Sequence, residues 1–330
     1  MTNPFFSVII TTYNRAKLLK VALKSLDLQS FKDYEAFIID DSSTDNTPEI
    51  IGTFNDHSNW HFIKLIENRG YPYCKNLAFT RCKGKFITFL DSDDIWLPDR
   101  LEKFYETAQK NPEAGFIFSD GYILSGNIIN STMFSAVKKI PTGKVPAYYG
   151  VSNRYLPYIT TNVAIKSEVV KKTGFYREDL KMLGDTEYFV RVIKNYPVEI
   201  INKPLSIYRI NINGNSQITR DWERCIKESE ISLLVAEPSE EQHREIMEFN
   251  YLQQSNAMIR NGAGKIARKY LKKCSITLKI LILYLLSFIP VKQIFLIKEI
   301  YQKLKKFYHP AIKNKEFEEI NGFFKKISEN

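Results

Sequence analysis

The sequence predicts an α/β protein: a mostly parallel, doubly wound sheet flanked by helices, with a helical extension at its C-terminal end. Three observations carry that prediction. Phe6–Thr11 (FSVIIT) is apolar and β-branched without alternation, as in a strand covered on both faces. Through the first 120 residues, short apolar runs alternate with stretches of helical periodicity. Two of the strand-like runs end in carboxylates, at the edge where such sheets hold ligands.

The elements follow in order. Leu18–Leu28 carries apolar residues at helical spacing, and Ala36–Ile39 is a strand ending in Asp40-Asp41. Asp45–Phe54 forms a second helix, with Pro48 in the first turn, where a missing N–H costs nothing. His61–Ile66 is a third strand, Tyr73–Cys82 a helix, Phe86–Leu90 a fourth strand, Pro98–Gln109 a helix and Gly115–Ser119 a fifth strand. After Asp120 the rhythm breaks. Residues 121–165, rich in Gly, Asn and Tyr, read as irregular strands and loops. Helices are expected near 166–172 and 185–195, strands at 198–201 and 205–209, and mostly helix from about 221. This divides the chain into a domain at 1–220, with an α/β half (1–120) and a less regular half (121–220), and a helical region at 221–330.

Charge separates the same parts. The chain of 330 residues has a net charge of +10 and is 44% hydrophobic, enough for a sizeable core. Residues 265–330 hold 15 Lys+Arg against 5 Asp+Glu, and the preceding 264 balance at 32 and 32. A basic tail points to an anionic partner, and the neutral remainder argues against nucleic acid. Ile276–Ile289 has one charge in fourteen residues, which is too short to span a bilayer. Beyond Pro290, Ile294, Ile297, Tyr301 and Leu304 line one helical face and Lys292, Glu299, Lys303 and Lys306 another. An amphipathic pair within 265–310, lying in the membrane interface, is the expectation; a buried helical hairpin is the alternative. Cys74, Cys82, Cys225 and Cys274 form no C-x-x-C pair, and the N-terminus has no signal-peptide pattern. The expected location is cytoplasmic, peripheral on the inner face of the cell membrane.

The strongest chemical signal is Phe89-Leu90-Asp91-Ser92-Asp93-Asp94. Three carboxylates at a strand end repel one another unless a cation intervenes, and Mg²⁺ commonly binds through one or two carboxylates plus substrate phosphates. A helix cap from Asp93, Asp94 or Asp99 is the competing role. Asp40 and Asp41 lie on the same rim, where a carboxylate can accept hydrogen bonds from a base or ribose, while Ser42, Ser43 or Asp45 can cap the next helix. Tyr13, in Thr11-Thr12-Tyr13-Asn14-Arg15, can flank a planar base. No Gly-rich phosphate loop follows the first strand, so the phosphates need a metal.

Four segments in order, SVIITTYNR (7–15), IIDDSSTDNT (38–47), ENRGYPYCKN (67–76) and FLDSDDIWLP (89–98), resemble the family 2 glycosyltransferases of the GT-A fold. The resemblance implies an inverting, nucleotide-sugar-dependent transferase. It places Thr11, Tyr13 and Asp40 on the nucleobase, usually uracil, Asp91 on the ribose, and Asp93 on a Mg²⁺ or Mn²⁺ ion bridging the phosphates. Lys75-Asn76 stands where the family often has Arg-Asn near the donor. The family's catalytic base falls at Asp185 in Gly184-Asp185-Thr186-Glu187-Tyr188-Phe189-Val190-Arg191, with Gly184 in place of the usual acidic residue. Glu187 is the rival, but it lies one helical turn from Arg191 and has an ion pair available. Tyr208-Arg209-Ile210-Asn211 has Asn where the family motif has His. Trp96 can stack on a sugar or pack in the core.

The implied donor is a UDP-sugar and the acceptor a saccharide or lipid-linked oligosaccharide, as in surface polysaccharide or glycolipid synthesis. A sugar nucleotidyltransferase and a catalytically inactive membrane scaffold are the competing readings.

Overall fold

The structure, a computed structural model, describes residues 3–125, 128–137, 139–210, 221–290, 293 and 315–329. The first half is a strand–helix alternation: β1 (Phe6–Thr12), α1 (Ala16–Asp27), β2 (Tyr34–Asp40), α2 (Thr47–Gly52), β3 (Trp60–Lys64), α3 (Tyr71–Phe79) and β4 (Phe86–Phe89). There follow β5 (Ile95–Trp96), α4 (Arg100–Lys110), β6 (Phe116–Ser125), β7 (Ile128–Thr132), β8 (Val163–Lys166), α5 (Ser167–Thr173), α6 (Gly184–Asn195) and β9 (Val198–Ile210). The C-terminal part is helical, with α7 (Trp222–Ala236), α8 (Glu240–Arg260), α9 (Gly264–Leu271), α10 (Leu278–Leu286) and α11 (Lys315–Glu329).

The sheet runs β3-β2-β1-β4-β8-β6-β9-β5, with β7 beside β6. β1 to β4 are mutually parallel, and β8 enters antiparallel between β4 and β6. The strand order reverses at β1, whose neighbours are β2 on one side and β4 on the other. An open α/β sheet holds its ligand in the crevice at such a reversal, outside the carboxyl ends of the strands. The residues that follow β1, β2 and β4 therefore meet at one place.

The unbroken apolar run of β1 is explained by layers on both faces. Phe6, Val8 and Ile10 pack with Leu19, Leu23, Leu101 and Phe104 of α1 and α4. Ile9 packs with Cys74, Ala78, Tyr188 and Phe189 of α3 and α6. Burying each such side chain contributes about 1.5–3 kcal/mol. A third cluster joins α7, α8 and α9 to Val190 of α6, and a fourth seats Ile327 of α11 against Val21, Ile95 and Ile207.

One local expectation changes, and two alternatives left open by the sequence are decided. The strands expected at 198–201 and 205–209 are one strand, β9, whose pairing with β6 shifts register beside Asp120. Trp96 is fully buried, donates to the Thr161 carbonyl at 2.9 Å and has the Arg100 guanidinium stacked on its ring, so it is a core residue. No acidic side chain caps α4; Asp99 instead pairs with Lys203 at 2.5 Å. The expected amphipathic face at Ile294–Leu304 lies outside the described residues, as does Asn211.

Candidate active site

The loops after β1 and β2 are stitched together. Asn14 Oδ1 accepts from the Thr44 and Asp45 amides at 2.8 and 3.3 Å, and the Asn14 amide donates to Ser43 Oγ at 2.9 Å. Asp45 accepts from the Thr47 amide at 3.0 Å and the Ala16 amide at 3.1 Å, so one carboxylate serves the starts of both α2 and α1. Asn14 and Ser42 hold positive φ angles of 51° and 68°. Non-glycine residues adopt such angles at a cost, and these bonds hold them there.

The stitching separates two neighbouring acids. Asp41 is used up by structure, accepting from the Arg69 and Gly70 amides at 2.7 and 2.8 Å. Asp40 accepts from the Ser43 amide at 2.9 Å through one oxygen; its other oxygen is buried and unpartnered. The Thr12 hydroxyl opposite it is likewise buried and unpartnered. Thr11 is half-buried at the end of β1, and Tyr13 is exposed.

After β4, the acidic cluster folds back on itself, with the Asp94 amide donating to the Asp91 carbonyl at 2.9 Å. Asp94 accepts from the Arg209 amide at 3.1 Å, while its second oxygen is buried without a partner. Burial, with Asp93 and Asp91 beside it, holds the Asp94 carboxyl well above the usual carboxylate range. Burial also pushes Asp91 up to about 7, against the pull of the Lys75 ammonium, with Asp185 and Asp93 adding to the rise. Asp93 is partly exposed and is held by the Arg15 guanidinium. Arg209 donates to the Asp93 carbonyl and to the Leu18 carbonyl, tying β9 to this cluster.

Asp185 reaches the same cleft in the first turn of α6. Its carboxylate accepts from Lys75 Nζ at 2.6 Å and Thr160 Oγ at 3.0 Å. The Lys75 side chain is 3% exposed and lies among the rings of Tyr71, Phe89 and Tyr176, at 4.9–5.3 Å from their centroids. Lys75 thus serves Asp185 directly and Asp91 through space. Asn76 is otherwise engaged: its amide bonds the Tyr176 carbonyl and amide and the Glu178 carboxylate at 2.8–3.1 Å. Glu187 is buried against Arg191 at 2.9 Å, the ion pair expected from their spacing.

Among the described residues, no three His, Cys, Asp or Glu side chains form a protein-only metal cage. The donor set still fits an ion that arrives with phosphates. Asp93 offers one partly exposed carboxylate, which an ion would share with or take from Arg15, and the Asp94 oxygen beside it is buried and unpartnered.

Sequence reasoning brings Asp40, Asp91 and Asp93 to one rim and, through the resemblance, names Asp185 as base, but gives no role to Arg15, Thr160, Tyr71 or Glu228. Arg15 was in view within a motif. Thr160 and Glu228 act across the fold and carry no local pattern.

The model of the family described as Glycosyl transferase family 2 matches residues 7–146. An uncharacterized glycosyltransferase of Methanocaldococcus jannaschii is 31% identical over 223 residues, 65% of this chain and 74% of that protein. The UDP-Glc:alpha-D-GlcNAc-diphosphoundecaprenol beta-1,3-glucosyltransferase WfgD of Escherichia coli is 31% identical over 46% of this chain and 58% of its own length. The structure of S. aureus TarS 1–349 in complex with UDP-GlcNAc superposes with a TM-score of 0.60 at 19% identity, covering 82% of this chain and 81% of that one. The mannosyltransferase PcManGT of Pyrobaculum calidifontis, in complex with GDP-Man and Mn²⁺, gives 0.56 at 14% identity over 94% and 89%. At these identities the superpositions establish the GT-A fold. The family assignment sets the nucleotidyltransferase reading aside. Taken with the motifs on the rim, these matches show that the chain belongs to the family 2 glycosyltransferases and is an enzyme of glycosyl transfer.

Proposed function

We propose that this enzyme transfers a sugar, with inversion, from a UDP-sugar to a hydroxyl of a saccharide or lipid-linked acceptor in surface polysaccharide or glycolipid synthesis. The observation that carries the reading is that Asp185 and Asp91, far apart in sequence, share the influence of one buried cation, Lys75. A base for the acceptor and an acid for the donor therefore occupy one cleft.

In this reading, Asp40 turns its unpartnered oxygen to the N–H of the base, with Thr11 and Tyr13 beside the ring. Asp91 takes the ribose, and Lys75 neutralises the cleft between donor and base. Asn76 shapes the donor side by fixing the Tyr176 backbone and the Glu178 carboxylate. Asp93 would hold Mg²⁺ or Mn²⁺, and such an ion supplies charge stabilisation for the leaving diphosphate. Arg15, released from Asp93, remains as a second cation on that rim. Asp185 takes the proton of the acceptor hydroxyl, which attacks the anomeric carbon from the face opposite the nucleotide. Binding donor and acceptor in line supplies the orientation. The relative WfgD, by its name, uses UDP-Glc and a diphosphoundecaprenol-linked sugar, which supports the substrate classes.

We also infer peripheral contact with an anionic membrane through α9 and α10, and read 1–220 as the catalytic part and 221–330 as the part that carries this contact. α10 buries none of its residues, and Ile276, Leu278, Leu281, Ile282, Leu285 and Phe288 are all exposed. Residues 249–290 contain seven Lys+Arg and no acid. Apolar side chains beside a one-sign basic surface suit an interfacial site. Among the described residues, no helix is long and apolar enough to cross a membrane.

The test is a panel of UDP-, GDP- and TDP-sugars with Mn²⁺ or Mg²⁺, reading nucleotide release and the anomeric configuration of the product by NMR. A UDP-sugar with inverted product is expected. Retention of configuration, or turnover of GDP-sugars alone, would overturn the reading.

A further inference from the structure

We propose that Glu228 of α7 is a positioning residue for the transfer: its carboxylate fixes the start of α6 and thereby the Asp185 side chain. This rests on the reading of Asp185 as the base.

A helix start leaves backbone N–H groups without intrahelical partners, and a local Ser, Thr, Asp or Asn usually satisfies them. The approach to α6 is Lys181-Met182-Leu183, and the residue preceding the helix, Leu183, makes no side-chain cap. Glu228 acts instead. Its Oε1 accepts from the Lys181 amide at 2.9 Å, and its Oε2 from the Met182 and Leu183 amides at 2.8 and 2.7 Å. The next amide, Gly184, donates to Tyr71 Oη at 2.9 Å. Four successive N–H groups are thus satisfied by two side chains from α7 and α3. A Cβ at position 184 would come within 2.9 Å of that Tyr71 oxygen, so a side chain there would displace the hydroxyl that holds the Gly184 amide.

The brace is itself braced. Glu228 is 2% exposed, and its charge is met by Arg224 one turn earlier, with Nε at 2.8 Å. Arg224 also donates to the Asp179 carbonyl at 3.0 Å, and its own amide donates to Asp221 at the start of α7. Charge-assisted bonds of this length in a buried setting are short and strong, so the backbone at 181–183 has little freedom. Asp185 follows two residues later in the same rigid turn. A displacement of that turn moves its carboxylate relative to the acceptor, and a misplacement of about 1 Å can cost about 10²-fold in rate. The donor-side groups are held by other bonds, from Asn14, Ser43 and Asp45.

The experiment compares full-length Glu228→Ala, Glu228→Gln and Asp185→Asn with the wild type. It reads UDP affinity by calorimetry with Mn²⁺, the melting temperature, and kcat and KM with the sugar nucleotide giving the fastest UDP release. Glu228→Ala should lower kcat about 100-fold and the isosteric Glu228→Gln about 10-fold, with UDP affinity and donor KM within about 2-fold of the wild type. A lower melting temperature with wild-type kcat in Glu228→Gln would overturn the proposal and leave Glu228 a stabilising residue. Loss of UDP affinity in parallel with kcat in Glu228→Gln would overturn it as well. Full turnover in Asp185→Asn would sink the base reading itself; an inactive Asp185→Asn beside a fully active Glu228→Gln would sink only the brace.

Discussion

The donor rim and the base end of the cleft are built in opposite ways. On the donor rim, each functional side chain stands on or just after the strand that delivers it, and Asn14, Ser43 and Asp45 tie neighbouring loops together. At the base end, Asp185 is held by residues from everywhere else: Lys75 of α3, Thr160 before β8, and a helix start pinned by Tyr71 and Glu228. Under the proposed function, the difference makes nucleotide recognition a local property of a sheet edge, and base placement a property of the whole fold, including the C-terminal helices.

Removing the link between the two regions should have the larger effects. Lys75→Met leaves Asp185 without its cation and should lower kcat about 100-fold, or ~2.7 kcal/mol, with a smaller change in donor KM. Steady-state kinetics decide it: a raised KM at unchanged kcat would move Lys75 to the donor rim. Asp40→Asn acts within that rim alone and should weaken UDP binding about 10-fold by calorimetry while sparing kcat at saturation. Replacing Leu281 and Leu285 by Glu should reduce co-sedimentation with phosphatidylglycerol vesicles several-fold and leave UDP affinity unchanged. Equal binding of the wild type to neutral phosphatidylcholine vesicles would remove the charge argument.

A separate effect is on stability. The Asp91 carboxyl is raised to about 7 in the folded chain, from an ordinary value near 3.8. Between those values the folded state binds more protons than the unfolded one, so metal-free protein should lose stability as pH rises from about 4 to 7. Above 7 the loss is complete. Asp91→Asn removes this contribution, and melting curves from pH 5 to 8 should show a shallower decline for the variant. An unchanged slope would contradict it.

The same contrast sets what could be read from the sequence. The strand–helix alternation was legible because an apolar run such as FSVIIT needs cover on both faces, and α1, α3, α4 and α6 supply it. Asp40, Asp91 and Asp93 were legible because they end predicted strands. The short β5 and the continuity of β9 across 202–204 were not, since a two-residue strand has no periodicity and a register shift depends on its partner. Trp96 could not be assigned from its motif, because its place in the core depends on Thr161 and Arg100. Glu228 could not be found at all: its helix shows only an ordinary Arg224–Glu228 pair at i,i+4, and the amides it holds lie about 45 residues away.

The central claim is that the donor carboxylates bind and Asp185 does chemistry. Measuring UDP affinity with Mn²⁺ and transfer rate on the same preparations of Asp93→Asn and Asp185→Asn tests it most directly. Asp93→Asn should lose both metal-dependent UDP binding and turnover, whereas Asp185→Asn should bind UDP within about 2-fold of the wild type and turn over at least about 10³-fold more slowly. Retained transfer in Asp185→Asn, or equal loss of UDP binding in both variants, would contradict the account.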